Sequence, residues 1–381
     1  MKDADHSPWW VHARNELISL CPQDRPAYVY SREQISRNAG ALASLTAIDR
    51  IFYAIKANSN PDLLRHIHAT GAGLECVSLG ELEAVKSAVP AVRTDQLLFT
   101  PNFAPRLEYE AAVAIGVILT IDSLYPLENW PELFKGQNII LRVNSGIKAG
   151  HHRHVQTAGP GSKFGLSLED MDAAVELAAA IGANVIGLHA HAGSGITDDT
   201  YWRRNGCVLA DLAQHIPSVR ILNLGGGLAV NDPNTPDPIN LSALNQQLEQ
   251  EQNRFANYQL WLEPGRFFVA NAGVLLARIT QIKPASDTVF IGLNAGMNTF
   301  IRPALYGAQH SIFNLTRLNA PKDVTGTIVG PICESADRFA NQIPFPASQE
   351  GDVVLIANAG AYGQVMSSLY NSRPPAHEIL I

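Results

Sequence analysis

The sequence predicts an α/β fold in which a parallel (β/α)8 barrel is followed by a second, β-rich domain, a Greek-key-like barrel or sandwich. Between about residues 26 and 265, short apolar runs alternate with amphipathic segments, the order that produces a parallel sheet with helical crossovers. The apolar runs are continuous, which indicates that both faces of that sheet are covered. After about residue 266, β-like runs follow one another with few helical patterns between them.

The length and composition of the chain agree with two folded domains. The 381 residues are 46% hydrophobic and 17% charged, as expected for a globular protein with a sizeable core. The change in pattern along the chain predicts a barrel domain over residues 31–265. The same change in pattern predicts a second domain over residues 266–381.

Charge and cysteine usage exclude several classes of partner. A net charge of −7 disfavours nucleic acid and anionic membrane as partners. No apolar stretch approaches the roughly 20 residues of a membrane span, and the N-terminus has no signal core, so we expect a cytoplasmic protein. The four cysteines are widely separated and form no CxxC pair, so we expect reduced thiols and no metal site.

The elements of the barrel can be assigned one by one. The predicted strands are AYVY (27–30), RIFYAIKA (50–57), GLECVS (73–78), DQLLFTP (95–101), VILTIDS (117–123), NIILRVN (138–144), NVIGLHAHAG (184–193), RILNLGGG (220–227) and QLWLEPGR (259–266). The predicted helices are SNPDLLRHIHATG (59–71), GELEAVKSA (80–88), APRLEYEAAVAIG (104–116), SLEDMDAAVELAAAIG (167–182), DDTYWRRNGCVLADLAQHI (198–216) and LSALNQQLEQEQNRFANY (241–258). A count near eight favours a closed barrel over its main competitor, a doubly wound open sheet.

The second domain is predicted from β-like runs alone. These runs are GVLLARITQIK (273–283), DTVFIGLN (287–294), HSIFNLT (310–316), GTIVGP (326–331) and DVVLIANA (352–359). They contain the β-branched and aromatic residues that strands favour.

Polar residues gather where the predicted barrel strands end. In a barrel these ends share one face, where active sites are built. Lys56 ends an apolar run, which would desolvate its amine, lower the pKa of that amine and free it for Schiff-base chemistry. A lysine extending along the edge of a strand towards solvent remains the alternative.

Three further strand ends offer groups for a cofactor. Backbone N–H groups of Gly225, Gly226 and Gly227 can approach a phosphate, although a tight turn explains them equally well. His191 lies in the strand NVIGLHAHAG and Ser194 in the loop after it. A flat imidazole there suits stacking on an aromatic cofactor, and His191 together with His189 also suits a metal. These interpretations remain open at this point.

A carboxylate and a guanidinium close the last barrel strand. Glu263 has the chemistry to keep a pyridine nitrogen protonated, and Arg266 has the chemistry to bind a phosphate or a carboxylate. An internal ion pair between the two is the alternative. The β-rich domain adds reactive residues in mixed apolar loops: Arg302, Tyr306, Cys333, Glu334 and Tyr362.

Together these segments resemble the fold-type III pyridoxal-phosphate (PLP) decarboxylases along nearly the whole chain. YAIKAN (53–58), HAGSG (191–195), GGG (225–227) and EPGR (263–266) are similar to motifs of that superfamily. SKFG (162–165), AGMNTFIRPALYGAQH (295–310), GPICES (330–335) and AYGQVMSSLYNSRP (361–374) resemble the diaminopimelate decarboxylases in particular. Glu75 and Cys76 depart from the family, which usually has Asp-Val there.

The resemblance implies that the N-terminal strand joins the β-rich domain, which then combines residues 1–30 with residues 266–381. It also implies a role for each candidate residue. Lys56 forms the Schiff base with PLP, His191 stacks on the ring and Glu263 meets the pyridine nitrogen. Ser194 and Gly225, Gly226 and Gly227 hold the phosphate, with Tyr362 near both phosphate and substrate. Arg266, Arg302 and Tyr306 match substrate-carboxylate binders, although Arg266 also suits the phosphate. Cys333, the expected proton donor, and Glu334, which binds the distal ammonium, match residues contributed by the partner in a homodimer.

The implied reaction is decarboxylation of meso-2,6-diaminopimelate to L-lysine and CO2. A related decarboxylase acting on another amino acid, in siderophore or polyamine synthesis, is the main competing function. An amino-acid racemase is disfavoured by Glu263, and a PLP carrier protein is disfavoured by the β-rich domain. A metal-dependent barrel hydrolase built on His189 and His191 is the least favoured function.

Overall fold

The structure is a computed structural model that describes residues 7–147, 159, 161–232 and 237–381. Within these residues the chain divides into two compact units. The first, the barrel unit, comprises residues 36–230 and 237–268, and the second, the sheet unit, comprises residues up to 35, 231–232 and 269–381. The domain boundaries proposed from the sequence stay a prediction. Residues 1–6 of the proposed second domain lie outside the described residues.

The strands of the described residues are, in chain order, β1 (Ala27–Tyr30), β2 (Arg50–Ala54), β3 (Gly73–Cys76), β4 (Leu97–Phe99), β5 (Ile118–Ile121), β6 (Asn138–Arg142), β7 (Asn184–His189), β8 (Ile221–Asn223), β9 (Gln259–Leu262), β10 (Gly273–Pro284), β11 (Val289–Leu293), β12 (Ile312–Asn314), β13 (Val324–Val329), β14 (Arg338–Phe345), β15 (Val353–Ile356) and β16 (His377–Leu380).

The α-helices of the described residues are α1 (Trp9–His12), α2 (Arg14–Leu20), α3 (Arg32–Ala43), α4 (Pro61–Ala69), α5 (Leu79–Ala88), α6 (Arg106–Ile115), α7 (Leu124–Asn129), α8 (Pro131–Phe134), α9 (Met171–Ile181), α10 (Thr200–Ala213), α11 (Leu241–Glu249), α12 (Gln252–Phe255), α13 (Arg266–Val269) and α14 (Arg302–Tyr306). Within these described ranges, no helix has the length and apolar character needed to cross a membrane.

Eight parallel strands, β2 to β9, close into a barrel. Each pairs with the next, and β2 pairs with β9 to complete the ring. Local residues define the helix ends: the Asn60 side chain caps α4 before Pro61, and left-handed Gly116 ends α6. This arrangement confirms the predicted (β/α)8 barrel and excludes the doubly wound alternative.

Side chains from six barrel strands form an apolar cluster. They are Phe52, Leu98, Ile140, Ile186, Ile221 and Trp261. The Phe52 and Trp261 rings meet at 5.0 Å between centroids. This cluster excludes water from part of the unit, and the chemistry described below is confined to the strand ends.

Helices α3, α7 and α8 were not predicted, and the strand predicted to contain Lys56 is shorter than expected. The strand predicted over residues 50–57 ends at Ala54, and Lys56 lies in a short 3-10 turn over Ile55–Ala57. The Tyr53 hydroxyl donates to the Asn58 carbonyl at 2.9 Å, and the Asn58 N–H donates to the Ile55 carbonyl at 3.0 Å. These bonds turn the chain out of the sheet before it reaches the lysine.

The sheet unit contains eight strands that are mostly antiparallel. Its main order is β12-β15-β10-β11-β13-β14, and β1 pairs with both β10 and β16. Tyr28 lies opposite Leu275 in the antiparallel β1–β10 pair. Trp10 and Leu17 of the first two helices pack into the core of this unit. The predicted β-rich second domain is confirmed.

Two strands of this sheet escaped prediction because their sequences are polar. In β14, the run RFANQIPF contains Gln342 at a left-handed φ of 48° and Pro344, which lacks a backbone donor. In β16, the four residues HEIL are too short and mixed to show a pattern.

Candidate active site

Polar side chains lie at the ends of five strands of the barrel, four of which are consecutive. They are Glu75 in β3, Arg142 in β6, His189 in β7, Asn223 in β8 and Glu263 directly after β9. All five side chains are buried. Because parallel strands end on one face of the barrel, these residues define a polar rim, which is the usual place for catalysis in this fold.

Lys56 faces a carboxylate. Its Nζ lies 3.4 Å from both carboxylate oxygens of Glu75. The Lys56 side chain is 39% exposed, whereas Glu75 is fully buried. Burial raises the pKa of Glu75 to about 7, against the opposing attraction of Lys56. The rim therefore holds an amine beside a carboxyl group that titrates near neutrality.

Glu263 is held by two donors, one on each oxygen. Asn223 Nδ2 donates to Oε1 at 2.7 Å, and His189 Nε2 lies 3.2 Å from Oε2. Burial alone would raise the pKa of Glu263, but the interactions with His189 and Lys56 outweigh it and hold the pKa at about 2. An ionised Glu263 accepts only, so His189 Nε2 is the donor of this hydrogen bond.

The His189 ring is itself neutral. Burial lowers its pKa despite the nearby Glu263 carboxylate. With its proton on Nε2, the His189 ring orders the Glu263 carboxylate through this hydrogen bond. The sequence left His189 open as a metal ligand. In the structure its partner is the Glu263 carboxylate.

His191 is also a neutral ring, and its orientation is fixed. Its Nδ1 accepts the Gly226 N–H at 3.2 Å, which leaves the ring proton on Nε2. Burial and the nearby cationic Lys56 and Arg142 lower the pKa of His191 well below its ordinary value. A neutral, oriented imidazole of this kind suits stacking on a flat cofactor.

The Gly225–Gly227 turn packs too tightly for any side chain. A Cβ on Gly226 would lie 2.2 Å from the Glu263 carbonyl oxygen, and one on Gly225 would lie 2.6 Å from the Ala190 carbonyl oxygen. Gly225 and Gly227 also have left-handed φ angles of 67° and 96°. The glycines thus keep the backbone close to the two flanking strand ends.

Ser194 and Arg266 meet beside this turn. Arg266 Nε donates to Ser194 Oγ at 3.0 Å. Arg266 is buried at the start of α13 and Ser194 is partly buried in the loop after β7. The pair presents a guanidinium and a hydroxyl together, the donors that bind anions.

The remaining predicted residues belong to the sheet unit, where they form two groups. Arg302 is buried at the start of α14, and its guanidinium lies over the Tyr306 ring at 5.8 Å from the centroid. Cys333 and Glu334 are exposed on the loop after β13. Tyr362 has a left-handed φ of 56° in the loop after β15.

Two residues of the rim were missed from the sequence. Asn223 links the turn to Glu263, since its Oδ1 accepts the Gly225 N–H at 3.0 Å. Arg142 is buried with its guanidinium 4.6 Å from the centre of the Phe164 ring, which places the SKFG motif beside the rim. Asn223 and Arg142 are each a polar residue at the end of an otherwise apolar strand. That pattern could have identified both residues from the sequence.

Comparisons with known proteins agree with this geometry. The family model described as pyridoxal-dependent decarboxylase, pyridoxal binding domain, matches residues 32–270. A diaminopimelate decarboxylase of Deinococcus radiodurans is 35% identical over 355 residues, which cover 93% of this chain and 89% of the relative. The crystal structure of diaminopimelate decarboxylase from Helicobacter pylori complexed with L-lysine matches with a TM-score of 0.88 at 27% identity, over 96% of this chain and 93% of that one.

A more distant structure shares the fold alone. Lysine/ornithine decarboxylase from Vibrio vulnificus, solved with putrescine, matches with a TM-score of 0.83 at 20% identity, over 97% of this chain and 98% of that one.

Proposed function

Since this chain belongs to the pyridoxal-dependent decarboxylase family, we propose that it converts meso-2,6-diaminopimelate to L-lysine and CO2, the last step of lysine biosynthesis. Its cofactor is PLP. The observation that supports this most strongly is that the similarity to diaminopimelate decarboxylases extends over 93% of the chain and so includes the sheet unit. That unit holds the residues proposed to distinguish substrates.

The polar rim fits PLP. Lys56 offers an accessible amine, and Glu263 is an ionised carboxylate whose lone pairs are not exhausted by Asn223 and His189. PLP withdraws electrons from the bond to the departing carboxyl group when it is bound. Lys56 is proposed to hold the cofactor, Glu263 to bind its pyridine nitrogen and His191 to stack on its ring.

The phosphate is assigned to the neighbouring turn. Ser194, Gly225, Gly226 and Gly227 hold it, with Tyr362 close by. The Arg266–Ser194 hydrogen bond supports a phosphate role for Arg266 rather than a substrate-carboxylate role. The Arg266 guanidinium lies beside the hydroxyl proposed to bind the phosphate, so we propose that both groups contact the same anion.

Substrate selection is assigned to residues of the sheet unit. Diaminopimelate has an amino-acid group at each end, and each charge would be costly to bury without a partner. Arg302, with Tyr306, is proposed to bind the distal carboxylate. Glu334 is proposed to bind the distal ammonium. Lysine and ornithine lack the distal carboxylate, so they would leave Arg302 without that anion.

Cys333 is proposed to return a proton to the α carbon after CO2 leaves. Cys333 and Glu334 of the partner subunit complete each site in a homodimer. The exposure of both residues in the protomer supports this assignment, because an exposed thiol and carboxylate are available to a second copy. We place the enzyme in the cytoplasm, in keeping with its four free thiols.

A CO2-release assay with added PLP tests the function directly. We expect turnover of meso-diaminopimelate and, at equal concentration, at least about 100-fold slower turnover of lysine, ornithine and arginine, because a site built for a polar group discriminates strongly against its absence. Comparable turnover of lysine would contradict the proposed substrate.

The role of Lys56 has its own control. Lys56→Ala should lose both turnover and the visible absorbance of lysine-bound PLP. A coloured, active variant would show that another residue holds the cofactor.

A further inference from the structure

Two consecutive residues near the C-terminus hold the loop that contains Cys333 and Glu334. The Tyr370 hydroxyl donates to Glu334 Oε1 at 2.6 Å. Asn371 Oδ1 accepts the backbone N–H of Cys333 at 3.0 Å. Each contact joins residues that are more than thirty positions apart, so neither follows from local chain geometry.

The backbone of this segment is arranged to make both contacts. Asn371 and Ser372 have left-handed φ angles of 57° and 55°, which is uncommon for consecutive residues other than glycine. The turn is closed by the Ser372 N–H, which donates to the Leu369 carbonyl at 2.8 Å. Strain of this kind persists where surrounding bonds fix it, and it gathers at functional sites.

The Tyr370 contact defines which way the Glu334 carboxylate faces. Glu334 is exposed in the protomer, so without a partner its side chain would sample several rotamers. Tyr370 engages Oε1 and leaves Oε2 to accept from another donor. The hydrogen bond and charge of Glu334 raise the pKa of Tyr370, so the phenol keeps its proton and remains a donor.

The Asn371 contact acts on the main chain instead. It fixes the peptide group that precedes the Cα of Cys333, and hence the point from which the thiol projects. The thiol itself is exposed and is not used in this bond. The two contacts therefore order two neighbouring groups with different chemical tasks.

We propose that Tyr370 and Asn371 are positioning residues for the reaction, Tyr370 by orienting the Glu334 carboxylate towards the distal ammonium and Asn371 by fixing the main chain that presents the Cys333 thiol. This inference rests on the proposed function. The two positioning residues should affect different steps. Tyr370 should affect substrate binding, because it acts on Glu334, and Asn371 should affect proton transfer, because it acts on Cys333.

Tyr370→Phe removes one hydroxyl and keeps the ring. We expect KM for meso-diaminopimelate to rise about tenfold, near the lower end for a hydrogen bond to a charged group, with kcat little changed, because the lost interaction acts in both the bound and the transition state. Tyr125→Phe, at an exposed tyrosine of the barrel unit, is the matched control and should change neither constant.

Asn371→Gly removes the side chain while tolerating the left-handed backbone. We expect kcat to fall about tenfold with a smaller change in KM, and Asn371→Asp, which keeps the acceptor oxygen, to recover most of the rate. The visible absorbance of lysine-bound PLP should be unchanged in all these variants.

Unchanged KM in Tyr370→Phe, or unchanged kcat in Asn371→Gly, would overturn the corresponding assignment while the wild-type enzyme still turns over meso-diaminopimelate. Parallel losses of PLP absorbance and rate would also overturn it, because they indicate a general structural role. Failure of the proposed function is distinct, since the wild-type protein itself would then release no CO2 from this substrate.

Discussion

The Nζ atom of Lys56 lies 3.4 Å from both oxygens of Glu75, a carboxyl group with no exposure to solvent. Glutamate has one methylene more than the aspartate usual at this position in the family. Because Glu75 is fully buried, its ionised form depends on the charge of Lys56 for compensation. The charge of the Lys56 amine, which we propose holds PLP, and the protonation of Glu75 are therefore linked.

This link predicts a pH dependence of stability in the PLP-free protein. Folding raises the pKa of Glu75 from 4.5 to about 7, so the folded state binds this proton more tightly than the unfolded state. The resulting stability is fully present below pH 4.5 and is lost as the pH rises through about 7. The shift of this pKa from 4.5 to about 7 corresponds to on the order of 3 kcal/mol in the free energy of unfolding.

Glu75→Gln should remove this component. We expect the free energy of unfolding, measured by urea titration at pH 5 and pH 7.5, to fall less in Glu75→Gln than in the wild-type protein. Glu83→Gln, at an exposed position of α5, is the control and should follow the wild type. If the free energy of unfolding changed equally with pH in Glu75→Gln and in the wild type, Glu75 would be ionised in the folded protein at both pH values.

Gly226→Ala should damage both stability and cofactor binding. The new Cβ would lie 2.2 Å from a backbone oxygen, so the turn must move rather than a side chain. We expect a loss of about 3 kcal/mol or more in unfolding free energy together with weaker PLP binding. Gly40→Ala, in open space on α3, should be neutral or stabilising by roughly 0.5–1 kcal/mol. Equal behaviour of the two variants would contradict the close packing.

Arg302→Ala should reduce kcat/KM for meso-diaminopimelate by at least about 100-fold, because the distal carboxylate would be buried without its partner. Arg302→Lys should recover only part of this loss, since an ammonium does not reproduce the paired geometry of a guanidinium. Steady-state kinetics of the two variants and the wild type measures these losses, and their melting temperatures show whether the variants are folded. Full activity of Arg302→Ala would remove Arg302 from the substrate site.

Cys333→Ala should slow turnover by about 100-fold or more, within the range of general acid catalysis. The exposed position of the thiol predicts an unchanged melting temperature and unchanged PLP absorbance. Single-turnover CO2 release measured beside product formation separates loss of the carboxyl group from the proton return. An unchanged rate would mean that a different group donates the proton.

The sequence was sufficient for the barrel and for several of the reactive residues at its strand ends. Lys56, His191 and Glu263 stand out because each is a reactive side chain directly after an apolar run. The exact end of β2 was not predictable, because the bond from Tyr53 to Asn58 that turns the chain depends on the folded neighbourhood.

Contacts between segments that are distant in sequence could not be predicted either. Asn223 shows no motif of its own, and its importance lies in joining Gly225 to Glu263 across two strands. Tyr370 lies in the motif AYGQVMSSLYNSRP, but the motif does not show that its 45% exposed side chain bonds to Glu334. Such roles depend on which strands and loops become neighbours, and no single segment encodes them.

The pairing of β1 with β10 and β16 sets an order for folding during synthesis. Tyr28 lies opposite Leu275 and Glu378, so β1 leaves the ribosome long before either neighbour exists. At 5–20 residues per second, roughly 250 further residues take about 10–50 s to translate. The barrel strands emerge in that interval and pair mainly with strands next to them in sequence. The AYVY segment therefore has neither of these strand partners until β10 has been synthesised.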